Sequence, residues 1–120
     1  MKSHIIAIVK KLECIIRPHK LDEVKTAVAE LGIQGMTVLE VRGSGSSPEA
    51  RESFGGAEYI ISLPIKIRLE MIVPDDQVEE VIETVMRHAR TGQQGDGKIF
   101  VAPLTEAMRI RTGERGDIVL

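Results

Sequence analysis

The 120-residue chain has one cysteine, no tryptophan, one tyrosine and two phenylalanines. Each shortage excludes something. A lone Cys14 has no partner for an internal disulfide, so it reads as a small buried hydrophobe in a reducing compartment. With aromatics at 2%, the stacking platforms that grip single strands of nucleic acid are missing. No charge is in excess either. Sixteen basic residues against eighteen acidic give a formal charge of −2, whereas nucleic-acid binding wants a basic surplus. The longest early apolar run, Ile5-Ile6-Ala7-Ile8-Val9, is shorter than the ~7–15 residues of a signal-peptide core. It is far short of the ~20 residues that span a bilayer. These absences point to a soluble, cytoplasmic protein with no nucleic-acid partner and no direct membrane insertion.

What is present is globular: 42% hydrophobic and 28% charged residues, enough for one domain. A chain this short buries only about two-thirds of its unfolded surface, so self-association is a natural supplement. Residues 10–17 read as a strand closed by Pro18. Leu21, Val24, Ala27, Val28 and Leu31 recur at helical spacing, and Gly32 supplies the stop. Met36 to Arg42 alternate as a second strand. From Gly43 to about Gly56 the apolar period is lost, which predicts a long loop of the binding or switching kind. A third strand is expected from about Tyr59 to Val73. In it Ile65, Ile67, Leu69, Met71 and Val73 share one face, and Lys66, Arg68 and Glu70 share the other; Pro64 suggests a bulge or exposed edge. Pro74-Asp75-Asp76 opens a second helix with Asp75 as N-cap. Its apolar stripe is Val78, Val81, Ile82, Val85, Met86 and Ala89. Lys98 to Ala102 is a fourth strand, and the remainder reads as a tail.

The order strand-helix-strand, loop, strand-helix-strand predicts an α+β, ferredoxin-like βαββαβ fold, an antiparallel sheet with two helices on one face. The other sheet face has no cover within the chain, which predicts an oligomer.

Three groupings carry chemistry. Gly92 to Lys98 fits the spacing G-x-x-x-x-G-K of a P-loop. However, Ile99 replaces the metal-holding hydroxyl, and the segment leaves a helix for a strand, the reverse of a P-loop. Clustered glycines still let backbone N–H groups converge on an anion, with Lys98 at the rim; a plain helix-to-strand turn is the alternative. Arg109-Ile110-Arg111, if extended, puts two guanidinium groups on one face about 7 Å apart, a fit to a polyphosphate, or else a solvated pair. Lys66 and Glu70 offer an anion contact and a carboxylate. No nucleophile–base pair is evident, and the histidines at 4, 19 and 88 lack metal-ligand spacing, so neither catalytic residues nor a metal site is assigned.

Thr91-x-x-x-Gly95-Asp96-Gly97-Lys98-Ile99-Phe100-Val101 resembles the C-terminal signature of the PII signal-transduction family. Arg109-Ile110-Arg111-Thr112-Gly113-Glu114 is similar to the segment that follows it there. The likeness continues through Ile16-Arg17-Pro18, Lys20 to Val24, Gly35-Met36-Thr37-Val38 and Val73-Pro74-Asp75-Asp76. Residues 1–9 read as an N-terminal extension. The resemblance implies a homotrimer with ATP or ADP, and in some cases AMP, bound in clefts between subunits. It implies that a T-loop (43–58) reports the bound ligand to a target transporter or enzyme of nitrogen or carbon metabolism. Gly95, Asp96, Gly97 and Lys98 would form the phosphate-binding B-loop within 91–98. Arg109 and Arg111, in the C-terminal segment 109–120, would reach the phosphates. Thr37 would contact adenine from across the interface, and Gly43, Ser44, Gly45, Ser46 and Ile72 would line the cleft. Lys66 matches the lysine that meets the carboxylate of 2-oxoglutarate. Ser46-Ser47 stands where the family has Arg-Gln, and Ser47 is too short to hold directly the magnesium through which 2-oxoglutarate binds. A different small anion, such as bicarbonate in inorganic-carbon regulation, is then a candidate effector. Tyr59 matches a tyrosine that some members modify. A slow ATPase on the same cleft is the enzymatic alternative, without an evident general base.

Overall fold

The computed structural model describes residues 9–43, 51–54, 57–61 and 63–116. Four strands form one sheet: β1 (Val9–Ile16), β2 (Met36–Arg42), β5 (Ile65–Pro74) and β6 (Gly97–Pro103). Their order is β2-β5-β1-β6, and all three pairings are antiparallel. Two helices, α1 (Leu21–Ala29) and α2 (Val78–Ala89), supply the second layer. This is the ferredoxin-like α+β arrangement that the element order predicts.

Alternation decides which face is covered. Ile67, Leu69, Met71 and Val73 of β5 pack with Leu12, Cys14 and Ile16 of β1. Val24 and Val28 of α1, and Val81, Val85 and Ala89 of α2, close the same core. Between the core residues of β5 stand Arg68 and Glu70, on the uncovered face. There Lys11 and Glu13 of β1 join them: Arg68 Nε lies 3.1 Å from Glu70 and 3.9 Å from Glu13, and Lys11 lies 3.6 Å from Glu70. Phe100, opposite Glu13 in the β1–β6 register, is half exposed on the edge strand.

Several details differ from the sequence expectation. The third strand of the sheet begins at Ile65, not near Tyr59. Residues 57–61 form β4 (Ala57–Ile61), which pairs antiparallel with β3 (Arg51–Phe54) as a separate two-stranded ribbon. Pro64 explains the break, because it has no N–H for a ladder; its carbonyl instead accepts from Gly43 N–H. The second helix begins with a 3-10 turn at Asp75–Gln77, without a side-chain cap. Asp75 pairs with Lys10 across the sheet end instead. Residues 104–116 hold a turn closed by an isolated Met108–Arg115 bridge, where a tail is expected, and the last four residues lie outside the described ones. Val9 belongs to β1 and is buried. The rest of the expected N-terminal extension lies outside the described residues.

Cys14 sits at 0% exposure in the centre of β1. Burial, with the neighbouring Glu13 charge adding to it, pushes its thiol pKa up to about 12. Because the thiolate is the reactive form, the folded protein is expected to leave an aromatic disulfide reagent unconsumed at pH 8. One thiol per chain should react once the chain is unfolded in urea; rapid reaction of the folded protein would contradict this packing.

Candidate functional site

The loop between α2 and β6 is built on one carboxylate. Asp96 accepts from Thr91 N–H at 2.8 Å, Gly92 N–H at 2.9 Å, the Thr91 hydroxyl, and Arg17 Nε at 3.0 Å. Thr91 Oγ1 in turn accepts from Gln93 N–H at 3.1 Å. Partial desolvation raises the Asp96 pKa, but the bonds from Thr91, Gly92 and Arg17 outweigh it and hold the carboxyl well below the usual carboxylate range. Hydrogen bonds to the charged form have this effect. Asp96 therefore shapes the loop with its side chain, and an anion would meet the backbone.

Two cations then fix which way that backbone faces. Arg17 Nη2 donates to Gln94 O at 2.8 Å, and Lys66 Nζ donates to Gly95 O at 3.0 Å. A trans peptide sets its N–H opposite its C=O. Tethering the carbonyls of 94 and 95 therefore turns the N–H groups of Gly95 and Asp96 away from the tethers. The outcome is a run of outward amides of the type that binds anions. Lys66, expected on a charged outer face, is 8% exposed and part of this scaffold.

Gly97 joins the loop to β6. Its φ is +115°, and an added Cβ would lie 1.7 Å from the Ile15 carbonyl oxygen. Glycine is required here by the approach of one backbone to another, before any ligand is considered.

The second half of the predicted site lies elsewhere. Ile72 and Arg109 line a separate cleft of about 490 Å³ with Gly35 and Met108. Thr37 is exposed on β2, opposite Glu70 and hence beside Ile72. Lys66 and Ile72 are six residues apart on β5, roughly 20 Å at ~3.3 Å per residue. The expectation that Arg109 and Arg111 share a face of extended chain is not met. Gly113 N–H donates to Arg109 O, and Arg109 N–H to Glu114 O, both at 2.8 Å. Glycine at 113, with φ +74°, lets the chain turn there, and the Arg109 guanidinium pairs with Glu114. Arg111 is exposed on this turn, and so is Lys98 on β6. Gly43 follows β2 at the Lys66 end of β5. Ser44, Gly45, Ser46 and Ser47 lie outside the described residues. Tyr59 is described only as a position in β4.

Sequence reasoning missed the structural roles of Arg17, Thr91 and Glu114. Arg17 and Asp96 are 79 positions apart, and only the adjacent Pro18 marked the end of the strand. Among the described residues no helix is long and apolar enough to cross a membrane.

Comparison with known proteins bears on the family and the fold. The family model described as Nitrogen regulatory protein P-II matches residues 9–114. The chain is 50% identical over 108 residues to Nitrogen regulatory protein P-II of Rhodobacter capsulatus, covering 90% of this chain and 96% of that one. It is 48% identical over 111 residues to Nitrogen regulatory protein P-II 1 of Escherichia coli K12, covering 92% and 99%. Among solved structures it resembles Arabidopsis thaliana PII bound to citrate, with a TM-score of 0.75 and 39% identity, covering 95% of this chain and 94% of that one.

Two outcomes follow. Replacing Gly97 by Ala should destabilise the fold by about 1–3 kcal/mol or more, the usual range for a strained backbone. At ~4–8 °C per kcal/mol, calorimetry should show a melting point lower by several degrees, and an unchanged one would contradict the contact with Ile15. The depressed Asp96 pKa means that its contribution to stability is fully present above the unfolded value of about 4. It is lost only as pH falls through the lower folded value. In a carboxyl-carbon NMR titration Asp96 should still be ionised at about pH 4; a midpoint there would contradict the network.

Proposed function

This chain belongs to the nitrogen regulatory protein P-II family of signal-transduction regulators, and from that premise we propose that it senses adenine nucleotides in clefts between the subunits of a homotrimer. The observation that carries the reading is the separation of its half-sites. The anion-binding loop with Lys66 stands at one end of β5, while Thr37, Ile72 and Arg109 stand at the other. Neither half is a complete nucleotide site. A second copy, placed so that its Arg109–Gly113 turn meets the loop of the first, would complete one.

In that cleft the outward amides of Gly95 and Asp96, with Gly97 and the Lys98 ammonium beside them, and the partner's Arg109 and Arg111 would hold the phosphates of ATP or ADP. Thr37 of that second copy would meet the adenine, with its Ile72 packing beside it, while Gly43, Ser44, Gly45 and Ser46 of the first copy would close the rim. Arg109 would divide its guanidinium between Glu114 and phosphate. Charge-assisted contacts of this kind contribute about 1.5–3 kcal/mol each.

Lys66 links the nucleotide to a second ligand. It reaches the loop carbonyl of Gly95 in this structure. A carboxylate effector such as 2-oxoglutarate would compete for the same ammonium, as would the citrate named for the Arabidopsis relative were it to bind here. The T-loop would then read out both occupancies to a cytoplasmic target protein, by no more than the ligands' differential affinity for its two states. This is regulation rather than turnover.

Calorimetry with ATP, ADP and AMP, each with and without 2-oxoglutarate or bicarbonate, tests the reading. Saturable ATP or ADP binding at one site per chain is expected. Loss of Arg111, as Arg111→Ala, should weaken ATP about tenfold or more, since 1.4 kcal/mol is a decade. Indifference to millimolar adenine nucleotides, or an unaltered Arg111→Ala variant, would overturn the proposal.

A further inference from the structure

Ile110 is 100% exposed, on a turn held by the two backbone bonds between Arg109, Gly113 and Glu114, by the Arg109–Glu114 pair and by the Thr112 hydroxyl, which donates to Glu114 at 2.9 Å. A fully solvated branched aliphatic side chain on a braced turn is an unusual use of a residue type that is among the most often buried. It carries no entropy penalty of ordering on docking beyond its own rotamers.

The same chain carries a groove of matching character that this side chain does not enter. Ile82, Val85 and Met86 of α2 and Ile99 and Val101 of β6 line a depression of about 430 Å³. Asp96, Gly97 and Lys98 also line it, so it adjoins the loop proposed to hold phosphate. Met86 and Val101 are more than 40% exposed there. Groove and turn are at opposite edges of the sheet. β6 is one edge strand and β2 the other, three strand spacings or about 14 Å apart. The base of the turn, at Met108 and Arg109, lines the cleft beside Ile72 and Gly35 on the β2 side.

We infer that Ile110 of one copy docks into the groove between α2 and β6 of the next, as the apolar anchor of the subunit contact. The inference rests on the nucleotide-cleft reading, which takes Arg111 of one copy to the phosphates at the loop of the next. Ile110 is one Cα step, about 3.8 Å, from Arg111, and the groove adjoins that same loop. A chain that delivers the guanidinium to the amides thus delivers the isoleucine to the groove. Because tip and groove occupy different edges, the contact is heterologous, and repeated contacts of this kind close as a ring or run on as a filament. A ring of three would seat three tips in three grooves, leaving no Ile110 in water.

The experiment pairs Ile110→Cys with Met86→Cys; both positions are exposed, and the native Cys14 is buried. After mild oxidation of the native protein, gel electrophoresis without reductant should show covalent two-chain and three-chain species. Neither single variant should give the three-chain species. The proposal is overturned if the double variant stays single-chain. It is equally overturned if an equal ladder forms when the second cysteine replaces exposed Lys25 on α1 in place of Met86. Nucleotide calorimetry on the unmodified protein decides the cleft reading separately. A ladder without ATP binding would remove the ligand and keep the docking, and ATP binding without a ladder would do the reverse.

Discussion

The organisation of this molecule depends on a carboxylate that is spent on its own backbone. Asp96 collects two N–H groups and one hydroxyl from Thr91 and Gly92, which precede it, and one guanidinium from Arg17, just past the end of β1. This brings the last turn of α2 round to the start of β6. Only with that turn closed can Gly97 lie against the Ile15 carbonyl, and only then does β6 enter the sheet in register with β1. The loop and the edge strand are therefore one structural decision. A ligand at the loop would meet a surface that the sheet itself has fixed, so little backbone ordering would be left to oppose binding.

A negative residue at the heart of a loop proposed to bind an anion is less paradoxical than it looks. The Asp96 charge is satisfied by donors on the protein side, and those donors draw the chain inward. Arg17 and Lys66 do the complementary work by holding the carbonyls of Gln94 and Gly95. Acceptors are gathered in and donors are turned out. The net local charge of Asp96, Arg17 and Lys66 is +1, and the amide dipoles add to it at close range. For a polyphosphate, such fixed dipoles matter because they require no reorganisation when the ligand arrives.

Legibility in the sequence followed the range of the interaction. The period-two pattern from Ile67 to Val73 and the helical stripes of α1 and α2 depend only on near neighbours and burial, and the structure reproduces them except at exposed Met86; at the loop end of β5 the pattern fails, with Ile65 exposed and Lys66 buried. The glycine cluster before Lys98 was readable as a backbone site because glycine reports conformation directly. Asp75 was misread as a cap, because the competing partner, Lys10, is 65 positions away. The sequence reads β3 as loop and the end of β4 as the start of the third sheet strand, since a short two-stranded ribbon need not show an apolar alternation of its own. Spacing alone reads Arg109 and Arg111 as sharing a face of extended chain; the Glu114 that reverses the chain acts jointly with Gly113, and a spacing rule for strands ignores both.

The partition of the site has a consequence for the fold as well as for binding. A four-stranded sheet with helices on one side leaves Lys11, Glu13, Arg68 and Glu70 as a charged group on the other, flanked at the β6 edge by half-exposed Phe100. In water this face gains little, because exposed ion pairs are worth about 0–1 kcal/mol. Covered by other copies, the same pairs would lose solvent, strengthen electrostatically and fix the register of the contact. The half-sites at the two ends of β5 and the bare sheet face thus make the same demand from different sides of the molecule. If the nucleotide is held as proposed, association would resolve both the ligand geometry and the unburied surface, and sensing would then depend on assembly.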